Sequence, residues 1–269
     1  MIFSTLLVFG GVAGVLFVVI VKGLPVMSWQ MLTQVPKPGF YTGGEGGILN
    51  AIVGTLIIGV GATVLATACA IPVVIFIHGY THRKTWISTI RFALDLLWGI
   101  PSIVYGILGF TVMMFFKIRA SILAGIITVA MLEFPIATRG MDEVIRLVPK
   151  ALKETSFALG STRAETMIRV VLKQAAPGIL TALLIAFGRG VGDAASVLLT
   201  AGFSDKMPSS ALDPVATLPL TIFMQLGSPF PEVQQRAYAS ALVLTVIILI
   251  ISISTRWLMR KFATKTVVG

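Results

Sequence analysis

Six long apolar runs constrain this chain more than any other feature. They are residues Ile2 to Val21, Ile48 to Ile77, Ile87 to Phe116, Ala120 to Thr138, Pro177 to Ala201 and Ala237 to Leu258. A helix needs about 20 apolar residues to cross the hydrocarbon of a bilayer, and each run approaches or exceeds that length. Water is absent at that depth, so every backbone N–H and C=O must be satisfied within the protein, which leaves the helix as the natural solution. Only 12% of the 269 residues are charged and 56% are hydrophobic, against about 25% charged in soluble domains. The mean hydropathy is +0.95. The expected fold class is therefore all-α integral membrane, with six transmembrane helices in a single transmembrane domain over residues 1–269.

The punctuation between the runs adds detail. Ile2 to Val21 has neither a basic leading region nor a small-residue cleavage site, so it reads as an uncleaved helix. Gly10 and Gly14 on one face either permit close helix packing or are merely tolerated there. Pro72 is expected to kink the second run near its end. Gly99-Ile100-Pro101-Ser102 breaks the third in its middle. Long loops rich in Gly and Pro are expected at Lys22 to Gly47 and Gly202 to Gln235. His78 and His82 are four residues apart, as in some metal sites, but no third ligand accompanies them, which favours interfacial residues. Cys69, the single cysteine, reads as buried packing.

Basic residues are distributed unevenly. Fourteen fall in one set of loops plus the C-terminal tail, which contains Arg256, Arg260, Lys261 and Lys265; six fall in the opposite set. By the positive-inside rule, both termini and the segment between the fourth and fifth runs are cytoplasmic. The net charge of +10 thus reads as orientation, with lipid and not nucleic acid as the surrounding partner.

Four ionisable residues sit at or near membrane depth: Asp95, Glu133, Arg189 and Asp193. A charge at the bilayer centre costs at least about 2.5 kcal/mol, so such groups face a cavity or each other. Arg189 and Asp193 are i, i+4 within Gly188-Arg189-Gly190-Val191-Gly192-Asp193 and are expected to share a helix face. A planar guanidinium can hold a tetrahedral oxyanion through paired N–H donors, and Asp193 would neutralise it between transport events. The alternative is a structural ion pair between helices. Asp95 and Glu133 fit either a pathway or an interfacial role. Arg139, at the end of the fourth run, is either a second anion contact or a membrane-surface anchor.

One polar stretch interrupts the apolar pattern. It is Lys153 to Lys173: just upstream, Pro149 suits a helix start, and Gly160 occupies a position where a helix C-terminus demands positive φ. Thr162-Arg163-Ala164-Glu165 then reads as a capping box opening a second helix. This helix–turn–helix, between the fourth and fifth spans, is a docking knob for a soluble partner or a surface hairpin with none. No nucleotide site accompanies it: Lys84-Thr85 and Lys265-Thr266 are preceded by Arg83 and Thr264 in place of the glycine of a P-loop. Neither a catalytic triad nor a metal cluster is apparent, and no cofactor is expected.

The spacing Glu154-Thr155-Ser156, Gly160, Val170, Leu172, Lys173 resembles the signature of ABC importer permeases: Glu-Ala-Ala, three residues, Gly, nine residues, Ile, one residue, Leu-Pro. Thr155, Ser156, Val170 and Lys173 depart from it. Further stretches are similar to phosphate permeases of the PstA type: Gly47 to Leu56, Gly99 to Gly106, Gly188 to Asp193, Pro214 to Phe223 and Ser228 to Gln235. The resemblance implies a permease subunit of an ATP-driven phosphate importer in a bacterial or archaeal plasma membrane. It implies pairing with a second permease (PstC-like), a cytoplasmic ATPase dimer (PstB-like) and a phosphate-binding protein (PstS-like). It implies ATPase coupling through Glu154, Ala158, Gly160, Thr162, Arg163 and Glu165, and phosphate passage at Arg139 and Arg189, with Asp193 standing where the family usually has Glu. The chain itself would not be an enzyme. The competing readings are a permease for sulfate or molybdate, an ATP-independent anion transporter, and a membrane scaffold or sensor that would tolerate loss of Arg189.

Overall fold

The computed structural model describes residues 2–81 and 83–266, with side chains from Phe3 to Trp257 apart from residue 82. His82, and the side chains of Arg260, Lys261 and Lys265, lie outside the described residues. In chain order the helices are α1 (Ile2–Gly23), α2 (Trp29–Thr33), α3 (Leu49–Ile75), α4 (Lys84–Gly99), α5 (Ser102–Phe116), α6 (Ile122–Arg146), α7 (Lys150–Ala158), α8 (Arg163–Glu165), α9 (Leu172–Val191), α10 (Leu218–Leu226) and α11 (Pro231–Thr266). Among the described residues no strand forms; one isolated bridge, Pro36 to Gly46, pins the loop after α2.

Five helical segments are long and apolar enough to cross a membrane, or six if the bent pair α4 and α5 is one span. That pair turns by 96° at Ile100–Pro101, where the Gly-Ile-Pro-Ser break was expected. Pro72 is followed at the end of α3 by a π-type turn over Phe76–Tyr80, a common way for a helix to absorb a disrupted hydrogen-bond ladder.

Two spans differ from their sequence boundaries. The fourth continues past Thr138 to Arg146, because the charges beyond Thr138 find partners instead of water. The fifth begins earlier and ends sooner: Arg163–Val191 is one continuous segment, π-wound at Thr166–Val171, and the chain turns irregularly after Val191. Pro177 is consequently inside the helix, not at its start. The expected loop from Gly202 to Gln235 contains α10 and the start of α11.

α3, α6 and α9 form the centre of the bundle, and its core is layered. Ala70, Val74, Met141, Ile145, Met167 and Val171 pack at the hairpin end. Ile58, Ala62, Ala66, Val129, Ala130 and Val197 fill the middle, and Met31, Phe40, Ile48, Ala216 and Leu218 the opposite end. Small residues let the backbones approach, as expected where lipid supplies no hydrophobic drive between helices. α6 and α9 run antiparallel in close register: a Cβ on Gly178 would meet Val144, one on Gly140 would meet Ala182, and one on Gly190 would overlap the Glu133 carboxylate.

α1 packs on α11, with Gly23 against the Tyr238 backbone; the Gly10 and Gly14 face meets open space. Cys69 is exposed, not buried. It lines an open apolar groove with Leu65, Leu97, Tyr105 and Phe134, which suits a thiol without enclosing it.

At the end away from the hairpin the loops are tied down. Arg236 donates to the carbonyls of Phe40 (2.9 Å) and Gly43 (3.1 Å), and Tyr41 donates to Asp205 at 3.0 Å. Burial, and then the Asp205 carboxylate, push the Tyr41 phenol above its ordinary range.

Candidate functional site

The bundle holds two guanidinium centres and a hairpin. Arg189 occupies the last turn of α9. Its Nη1 donates to Asp193 Oδ1 at 3.1 Å. The expected pair therefore forms, but not along one helix face: α9 ends at Val191, and Asp193 lies in the turn beyond. There its second oxygen accepts from Ser196 N at 2.8 Å and fixes the turn. Glycines at 188, 190 and 192 keep this corner thin. The two side chains sit differently, Asp193 being 5% exposed and Arg189 49%. The cleft beside Asp193, lined by Thr55, Gly59, Gly190 and Thr217, holds about 10 Å³, at most one water. The accessible side of Arg189 is thus the open face of its guanidinium.

Glu133 is level with Gly190 but inside the bundle, fully buried. Thr63 Oγ1 donates to its Oε2 at 2.8 Å, while Oε1 has no partner in the protein. Among the described residues no ion pair joins Glu133 to Arg189.

Arg139 lies six residues further along α6, about 9 Å nearer the hairpin at 1.5 Å per residue. It is surrounded by acids: Asp95 on α4 (Nε to Oδ1, 2.6 Å), Asp142 (Nη1 to Oδ2, 3.2 Å) and Glu143 (4.0 Å). The Asp95 contact is close in charge but not aligned as a hydrogen bond, since the Nε–H finds no properly directed acceptor.

Asp142 is the centre of this cluster and was not singled out by the sequence. Its carboxylate is fully buried. Arg91 donates to it bidentately, Nε to Oδ2 and Nη2 to Oδ1, both at 2.8 Å. His78 Nε2 lies 2.8 Å from Oδ1, and Arg146 Nη2 donates to Oδ2 at 3.0 Å. With Arg139, four basic side chains from the turn after α3, from α4 and from α6 converge on one acid. His78 thus ties the turn after α3 to α6. The available signal was charge order: Arg91 and Asp95 are i, i+4 on one helix, and Arg139 and Asp142 are i, i+3 on the next.

The hairpin follows the sequence closely. α7 closes at Gly160 with φ +83°. Ser161 N donates to Ser156 O at 3.2 Å and Gly160 N to Phe157 O at 2.9 Å, the paired bonds of a glycine C-cap. Thr162 and Glu165 make the capping box in both directions. Ser156 and Thr166 join their hydroxyls at 2.9 Å in the buried seam between the helices. Outside that seam, Glu154, Ala158, Gly160, Thr162, Arg163 and Glu165 are exposed, beside the exposed apolar Leu147, Phe157, Leu159 and Ile168. Burial lowers the affinity of Lys153 for its proton.

Residues 70–268 match the family described as binding-protein-dependent transport system inner membrane component. The chain belongs to that family. Among curated relatives, it is 34% identical to the phosphate transport system permease protein PstA of Yersinia pestis over 248 residues, 92% of this chain and 83% of that protein. It is 33% identical to the probable phosphate transport system permease protein PstA of Methanocaldococcus jannaschii, covering 90% of this chain and 85% of that one. Among solved structures, an inward-facing MetNI methionine ABC transporter chain superposes with a TM-score of 0.66 at 17% identity, over 84% of this chain and 98% of that chain. The latter likeness is one of fold. This family member is an all-helical, multi-pass membrane protein of a transport system, a permease component and not an enzyme.

Proposed function

We propose that this chain is one of two permease subunits of an ATP-driven phosphate importer, with its whole length forming one transmembrane domain. The observation that carries the proposal is Arg189: a half-exposed guanidinium in an apolar bundle, balanced by a single carboxylate. An oxyanion can take the open donors while Asp193 holds the others, and it can leave because the pair re-forms, so binding stays weak enough for conduction. The names of the relatives in Yersinia pestis and Methanocaldococcus jannaschii support phosphate as that oxyanion. The open face of Arg189 supports a second, PstC-like permease as the other wall of the pathway. Asp95, Glu133 and Arg139 belong to the same route: Glu133 sets the spacing of α6 from α9 beside Arg189, and Arg139 receives the anion nearer the hairpin.

The exposed apolar and charged residues of α7 and α8 support the hairpin as the seat of a PstB-like ATPase, which places it and both termini in the cytoplasm of a plasma (inner) membrane. A PstS-like binding protein delivers phosphate at the opposite end, where Arg236 and Tyr41 brace the loops. ATP-driven closure of the ATPase pair moves the two hairpins and exposes the Arg189 region in turn to either side.

The test is the ATPase activity of the purified permease pair with ATPase and binding protein. Stimulation by phosphate, and not by sulfate or molybdate, is expected. Stimulation by sulfate or molybdate instead would reassign the anion, and anion flux by the isolated chain without ATP would replace the importer with an autonomous transporter.

A further inference from the structure

α4 and α6 face each other with crossed charges. Arg91 and Asp95 on α4 meet Asp142 and Arg139 on α6, each basic group opposite an acid. The order along the chains is reversed, as antiparallel helices require. The two rungs are unequal. The Arg91–Asp142 rung is a bidentate pair on a fully buried carboxylate that His78 and Arg146 also hold. The Asp95–Arg139 rung joins a 51% exposed acid to an arginine whose Nε–H is poorly directed at it.

Beyond these rungs α4 is also held by Leu94, its one buried residue, and by Tyr105 of α5, whose hydroxyl donates to the Leu97 carbonyl at 2.8 Å. At its end the chain turns by 96° into α5 across Ile100–Pro101. A Cβ at Gly99 would meet nothing. α4 is thus an arm with a bend at one end and a charge cluster along its flank.

We infer that these four residues form a two-rung latch that gates the hairpin-side exit, with Asp142 the positioning residue that holds Arg139 in place and Asp95 the guard that an arriving oxyanion displaces. The inference rests on the importer reading given above. Asp142 stays fixed in both states, because its carboxylate is fully buried and would be left uncompensated without its basic partners. Asp95 has water as an alternative partner, so its rung opens at small cost. A doubly charged oxyanion offers Arg139 two aligned acceptors where Asp95 offers a misdirected one, so the substrate competes for the guanidinium and releases α4 as it does so.

The experiment uses the complete transporter in proteoliposomes. Asp95→Asn removes the guard without touching the buried rung. Binding-protein-independent ATPase activity should rise about two- to fivefold, the population shift expected from losing a half-exposed ion pair, and Asp95→Glu should return it to the parent value. Spin labels at Ser88→Cys and Leu147→Cys in a Cys69→Ser background should show a broader α4–α6 distance distribution in Asp95→Asn. Asp142→Asn, where the complex assembles, should lower kcat for uptake with a smaller change in KM, since the anion still reaches Arg189. Unchanged basal ATPase and an unchanged distance distribution in Asp95→Asn would overturn the latch while parental phosphate uptake left the importer reading intact. Failure of the parent to couple ATP to phosphate would strike the importer reading instead.

Discussion

Two arginines on the long helices have opposite surroundings in this chain. Arg189 is half exposed and touches one carboxylate; Arg139 is 17% exposed and lies among three. The first keeps most of its donors open, whereas the second is hemmed in by three acids even though its Nε–H lacks a directed acceptor. A transport route needs both kinds. A site that is always open admits the anion, and a site that opens only when helices move prevents a continuous channel. The side chain is identical at the two positions, so the difference comes from the backbone. α9 ends just after Arg189 and leaves it on an open corner, whereas α6 runs on past Arg139 and supplies Asp142 and Glu143 from the same helix.

The contrast can be broken most severely at its buried anchor. Asp142→Asn removes the shared partner of Arg91, Arg139 and Arg146, and loss of one member of a buried charge cluster costs about 3–5 kcal/mol. A fall in thermal stability of the assembled complex and poor yield are expected; Asp142→Glu should recover part of both. Arg189→Gln should bring phosphate uptake to background while the complex assembles at parental yield, whereas Arg139→Gln should reduce uptake and also loosen α4. Equal behaviour of the two arginine variants would erase the distinction drawn here.

Asp193→Asn sharpens the same comparison from the other side. Removing the carboxylate paired with Arg189 should leave the anion held longer, so kcat falls about tenfold with a lower KM; a parental rate would show that Arg189 needs no counter-charge. Gly160→Val lies away from both arginines and should leave their surroundings unchanged. It forces a β-branched residue to φ +83°, a strain of about 1–3 kcal/mol, and should weaken co-purification of the ATPase. The smallest effect belongs to the far end. Tyr41 has a raised folded pKa, so its contribution is fully present below the unfolded value of 10.0 and is lost as pH rises through the higher folded value. Tyr41→Phe should cost under about 1.5 kcal/mol and remove that alkaline sensitivity, read by thermal unfolding of the complex across pH.

Local chemistry was legible in the sequence where it acts over a few residues. Gly160 and the Thr162–Glu165 box specify the hairpin, and Gly99 to Ser102 specifies the break between α4 and α5. Arg189 and Asp193 were correctly paired, yet the helix end between them was not visible, because apolar residues continue past Val191 and periodicity does not mark a stop that glycine and tertiary packing impose. Asp142 was passed over for a related reason: it follows the apolar run, where acids usually meet water. Its burial depends on Arg91 and His78, fifty or more positions away. Cys69 failed in the other direction, since an apolar run in a membrane protein lines open grooves as well as the core.

The central claim is that an oxyanion passes the open face of Arg189. The most direct measurement places a thiol beside it: Gly188→Cys in a Cys69→Ser background, at a position where an added Cβ meets nothing. In the assembled transporter this thiol should react with a negatively charged methanethiosulfonate reagent, and phosphate should slow the reaction while sulfate does not. A thiol that stays unreactive in every nucleotide state, or that reacts at a rate phosphate leaves unchanged, would contradict the account.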